Sequence, residues 1–154
     1  VSTYTGTLPT AADGQKILGA DITQLINALH ALADSWTSYT PTWTGVPGTS
    51  TGAYLQIGKT VIFQAAIALT GAVTAAVSVT LPVTAVAAGG WAATVYLHDA
   101  SATGATAGRQ PGIGNPASGT GLDIYSVAGR VNATVPFTWT STDAIWVSGT
   151  FQAA

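Results

Sequence analysis

Groups able to titrate or coordinate are few in this chain: two His, six acidic residues that are all Asp, and four Lys plus Arg. Adjacent His98 and Asp99 come closest to a general base with an orienting carboxylate. They sit where a strand-like run enters a loop, and neighbours on a strand point to opposite faces, so the pair is not expected to hydrogen-bond. His30 falls on the polar side of a helical pattern, where solvation accounts for it. No HxH, HExxH or DxDxDG spacing occurs, so one chain offers no recognised metal pattern. A site on a threefold axis, built from His30 or an Asp of three chains, is the one metal arrangement left open. Cys is absent, which removes thiolate nucleophiles and disulfides. Gly112-Ile113-Gly114 lacks the GxGxxG and P-loop forms and no helical pattern follows it, so there is no nucleotide signal. The lack of Glu and of any carboxylate pair with evident geometry makes cell-wall hydrolysis the weakest reading. The expectation is a non-enzymatic protein with no catalytic residue, cofactor or metal.

Aromatic residues offer a different chemistry. Trp36, Trp43, Trp91, Trp139 and Trp146 are many for this length. Their flat faces can stack on sugar rings, although packing in cores and interfaces is the commoner use. Parity along the final strand-like run separates Ile145, Val147 and Phe151 from Trp146, Ser148 and Thr150. Trp146 therefore belongs to the less apolar face, in a protein interface or against a ligand. Trp146 and Arg109, the latter in a long Gly/Ala/Ser/Thr segment from Asp99 to Gly121, are the candidate ligand contacts.

These residues must be held by elements that the composition constrains. Charged residues are 6% of the chain, against a usual share of about 25%. Net charge is −2, without a basic patch, so a nucleic-acid partner is not expected. Mean hydropathy is +0.40, and polarity comes mostly from Thr, Ser and Gly. A surface so poor in charge belongs to a membrane protein or to a chain that buries itself against copies of itself. Val61 to Val83 is long enough to span a bilayer. However, Val61, Phe63, Ala65, Ile67 and Leu69 alternate with less apolar neighbours, and Val73, Ala75, Val77, Val79 and Leu81 do the same beyond Gly71. A period of two twice over predicts half-buried strands, not an inserted helix.

Residues 1–19, rich in Thr, Ala and Gly, read as an extended N-terminal attachment arm. Residues 20–37 read as one short α-helix: Asp21 is a good N-cap with Gln24 three residues on. Leu18, Ile22, Leu25, Leu29, Leu32 and Trp36 are spaced 4, 3, 4, 3, 4, which is a heptad seam and the expected oligomer interface. Ile26, Ala28 and Ala33 widen the apolar stripe beyond a dimer seam. Residues 38–154 read as strands and turns: Tyr39–Trp43, Gly52–Ile57, Thr60–Leu69, Val73–Leu81, Trp91–His98, Leu122–Val127, Val131–Trp139 and Ala144–Phe151. Asp99–Gly121 reads as a loop. The fold expected is mainly β: an antiparallel, jelly-roll-like β-sandwich knob preceded by the helix and the arm.

Several segments together resemble a known family. Trp36-Thr37-Ser38-Tyr39-Thr40-Pro41-Thr42-Trp43 follows the helix, then Gly52-Ala53-Tyr54-Leu55-Gln56-Ile57-Gly58-Lys59-Thr60-Val61 and Leu81-Pro82-Val83. Pro136-Phe137-Thr138-Trp139, Asp143 and Ser148-Gly149-Thr150-Phe151 close the chain. This set resembles tail-fibre and minor tail proteins of bacteriophages infecting actinobacteria, in outline over residues 21 to 154. The resemblance implies a homotrimeric β-sandwich knob on a short helical stem, exposed on the head or tail of a virion. It carries over no catalytic residues. The expected function is thus a structural virion protein, a decoration or short fibre anchored to capsid or tail proteins through residues 1–19. The alternative is a tail-associated receptor-binding module that adheres to host surface glycan.

Overall fold

The computed structural model describes residues 22–24, 26–27, 36–86, 91–103 and 108–154. The chain divides into two compact units, Val1–Trp36 and Thr37–Ala154. In the first, Ile22–Gln24 and Ile26–Asn27 are helical, inside the span where the heptad spacing predicts a helix. Ile22 and Trp36, two of the six seam residues, are exposed in the single chain. Leu18, Leu25, Leu29 and Leu32 lie outside the described residues, as do the arm 1–19 and His30.

The second unit is antiparallel β throughout. Its strands are β1 (Thr37–Tyr39), β2 (Trp43–Thr44), β3 (Gly48–Ile57), β4 (Thr60–Leu69), β5 (Ser78–Thr80), β6 (Ala93–His98), β7 (Arg109–Ser118), β8 (Gly121–Ser126), β9 (Gly129–Arg130) and β10 (Ala144–Gln152). They form one sheet in the order β1-β3-β4-β10-β6-β7-β8-β5-β2, with β9 on β8. The two ends of that order, β1 and β2, are separated in the chain only by residues 40–42. The sheet must therefore curl until its ends meet. Residues at this corner bond to both sides: the Pro41 carbonyl accepts from Ser50 Oγ of β3 at 2.9 Å. The Thr42 carbonyl accepts from the Thr80 N–H of β5 at 3.0 Å, and the Thr42 N–H donates to Thr80 Oγ1 at 2.9 Å. The mainly β, sandwich-like fold expected from the sequence is present, built from a single continuous ladder bent over one core.

Alternation fills that core. Val61, Phe63, Ala65, Ile67 and Leu69 of β4, Val95 and Leu97 of β6, Leu122 and Ile124 of β8, and Ile145, Val147 and Phe151 of β10 are buried. Phe63 and Phe151 meet edge to face at 5.6 Å. Trp139 closes one end from an irregular segment, 1% exposed, its Nε1 donating to the Val135 carbonyl at 3.2 Å.

Four sequence expectations are corrected. Tyr39–Trp43 is not one strand: Pro41, which lacks an N–H, breaks it into β1 and β2 at opposite ends of the sheet. Of Val73–Leu81 only Ser78–Thr80 joins the ladder; Val73 and Val77 are buried without being strand. Their segment is tied by Thr74 N–H to Gly45 O at 2.8 Å and Val77 N–H to Val131 O at 2.9 Å. Val131–Trp139 is a turn-rich connection with an isolated Asn132–Val135 bridge and a cis Val135–Pro136 bond.

The fourth correction bears most on function. Asp99–Gly121 is not all loop: it contains β7, ten residues between β6 and β8. Its Gly and Pro content hides a strand from propensity reasoning. The glycines are there for space. A Cβ on Gly112 would stand against the Tyr125 carbonyl oxygen, and one on Gly114 would lie 3.1 Å from Ala93 Cβ and 3.2 Å from Leu122 Cδ1. Pro111 lies just beyond the stretch of β7 paired with β8, and Pro116 adjoins a register irregularity.

Candidate functional site

Register decides which side chains share the outer face of the sheet. Opposite residues of an antiparallel pair point the same way, and successive rows lie two residues apart. Trp146 of β10 stands opposite Ala66 of β4 and Tyr96 of β6; Ala66 is opposite Thr51 of β3, and Tyr96 is opposite Pro111 of β7. One row along, Ser148 lies between Gln64 and Thr94. One row the other way, Ala144 is opposite His98, and His98 is opposite Arg109. This face is reached because the alternation that buries Ile145 and Val147 turns Trp146 and Ser148 outward.

The face carries a local depression. A groove of about 490 Å³ runs over β3, β4, β10 and β6, lined by Thr51, Gly52, Ala53, Gln64, Ala65, Ala66, Thr94, Tyr96, Trp146, Val147 and Ser148. Small residues on β3 and β4 form its low side, and aromatic rings on β10 and β6 form its wall. Trp146 and Tyr96 are 43% and 37% exposed, with ring centroids 5.4 Å apart at 53°. His98 adds a third ring, 5.9 Å from Trp146. Gln64, Thr94, Thr51 and Ser148 supply neutral donors and acceptors, and the side chains of Gln64 and Ser148 make no hydrogen bond to other described residues. The volume is within the usual range for a small-molecule site. None of the described residues that line the groove is charged.

The described carboxylates are occupied elsewhere. Asp143 is fully buried: its Oδ1 accepts from Ala100 N–H at 2.9 Å, and its Oδ2 accepts from Thr140 N–H at 2.7 Å and Thr140 Oγ1 at 3.3 Å. Asp99 Oδ1 accepts from Ser101 N–H at 2.9 Å and Ser101 Oγ at 2.6 Å. Asp123 pairs with Arg130. His98 and Asp99 are joined by no hydrogen bond, as strand geometry predicts. Among the described residues no three His, Asp, Glu or Cys come close enough to hold a metal ion.

Comparison with protein-family models, with curated proteins and with solved structures finds no match to this chain.

The two candidate ligand contacts thus share a face. Trp146 forms the groove wall, and Arg109 is exposed on the same surface two strands away and one row along. Sequence reasoning missed Tyr96, weighed His98 only as a base beside Asp99, and missed Gln64. The signal for the first two was available, since Thr94, Tyr96 and His98 alternate with the apolar Ala93, Val95 and Leu97. The proximity of Gln64 to Ser148 required the β4–β10 pairing, between strands about 80 residues apart in the chain.

Proposed function

We propose that this chain is a non-enzymatic surface protein of a bacteriophage particle, and that its β unit binds saccharide through the outer-face groove. The observation that carries this reading is the exposed Trp146–Tyr96 pair beside neutral hydrogen-bonding groups. A pyranose ring has an apolar C–H face that stacks on an indole or phenol, and hydroxyls at its rim that need neutral donors and acceptors. The described lining of the groove offers both. The phage setting is supported by the WTSYTPTW and GAYLQIGKTV segments and by the charge-poor composition, which suits a protein assembled against other copies. The virion is its proposed location, by way of residues 1–19.

A purely structural role, as a head decoration or short fibre, is the second reading. The heptad seam favours it, because a trimeric stem needs no ligand. A glycan array probed with the purified full-length protein separates the two. Binding that is lost in Trp146→Ala supports adhesion; a folded protein that binds no saccharide leaves the structural role. Immunogold labelling of intact virions tests the setting itself, with label on neither head nor tail overturning it.

A further inference from the structure

The groove shares its face with a cation that has no acidic partner among the described residues. The described carboxylates are all committed, Asp99 to Ser101, Asp143 to Ala100 and Thr140, and Asp123 to Arg130. Arg109 has no acidic partner among the described residues, although it is exposed and lies on the same face as the aromatic row. On a surface with four Lys plus Arg in the whole chain, that position is conspicuous. His98 stands directly between, opposite Arg109 on one side and in ring contact with Trp146 on the other. β10 and β7 are two ladder spacings apart and Arg109 lies one row along from Trp146, which sets their backbone positions about 12 Å apart. A span of that size accommodates a short oligosaccharide.

We infer that the groove takes an acidic saccharide, with a pyranose ring on Trp146 and Tyr96 and a uronate carboxylate on Arg109. This rests on the saccharide reading above and adds the ligand's charge to it. The guanidinium fork matches a carboxylate with two parallel hydrogen bonds. The neutral groove beside it imposes no repulsion on the anion. A neutral sugar would leave that fork unused.

The test is calorimetry of the full-length protein with oligogalacturonate and with hyaluronan oligosaccharide, each compared with its carboxyl-reduced form. The acidic form of at least one should bind about tenfold more tightly than its reduced counterpart. Arg109→Gln should abolish that preference, and Trp146→Ala should abolish binding of both. Equal affinity for the acidic and reduced forms, or an Arg109→Gln variant that keeps the preference, overturns the inference and leaves the saccharide reading intact. A folded wild-type protein that binds none of the four overturns the inference, and the glycan array then decides the saccharide reading separately.

Discussion

Trp146 sits on a strand whose other face is core, so its removal opens no internal cavity but gives up its ring contacts with Tyr96 and His98. Trp146→Ala should cost about 1 kcal/mol of stability and leave the protein folded while eliminating saccharide binding, measured by thermal melting and calorimetry on the same sample. Asp143 is the opposite case. Its buried carboxylate gathers donors from residues 100 and 140, and truncation would leave those N–H groups unpaired. Asp143→Ala should cost roughly 3 kcal/mol in urea unfolding. Tyr39 illustrates a buried polar atom with no partner: its Oη is enclosed and bonded to nothing among the described residues. Tyr39→Phe should therefore be neutral or stabilising, by up to about 1 kcal/mol. Burial also pushes the Tyr39 phenol well above the ordinary tyrosine range. The unfolded chain releases that proton near pH 10, while the folded chain holds it to higher pH. Stability should thus fall as pH rises past about 10, and the Tyr39→Phe variant should lose this part of the slope.

At the scale of elements, β4 and β10 were legible because each alternates cleanly and buries one face only. β7 was not, because its identity as a strand comes from its neighbours. Gly112 and Gly114 have no side chains with which to declare a period, and they are small because Val95, Tyr125, Ala93 and Leu122 crowd them. Gly112→Val should displace β7 from β8 and cost about 3 kcal/mol, seen as a lower melting temperature and as lost amide protection along Gly112–Asn115. The Tyr39–Trp43 and Val131–Trp139 runs show the converse error. Both are rich in residues with strand propensity, yet Pro41 makes one a corner and a buried Trp139 anchors the other as a connection. Propensity registers what fits a pleated surface. It does not register whether a partner strand is within reach.

For the whole molecule, the described core residues belong to the unit Thr37–Ala154. That unit expressed alone should fold, and by light scattering it should be a monomer, while the full chain should be a trimer held by the heptad seam. Leu25→Asp or Leu29→Asp should reduce the full chain to the mass of one copy, since the seam would bury an unpaired charge; an unchanged mass would remove the helix from the axis. The fold class and the outward parity of Trp146 were determined by the sequence alone, because alternation and turn residues act over a few positions. The groove was decided only by tertiary structure. It needs Thr51, Gln64, Tyr96 and Trp146, drawn from four strands, on one curved face, and only long-range register brings them there. Arg109 makes the same point: its meaning depends on His98 lying opposite it and on every described carboxylate being engaged elsewhere, and pairings of that kind are set by the curl of the sheet.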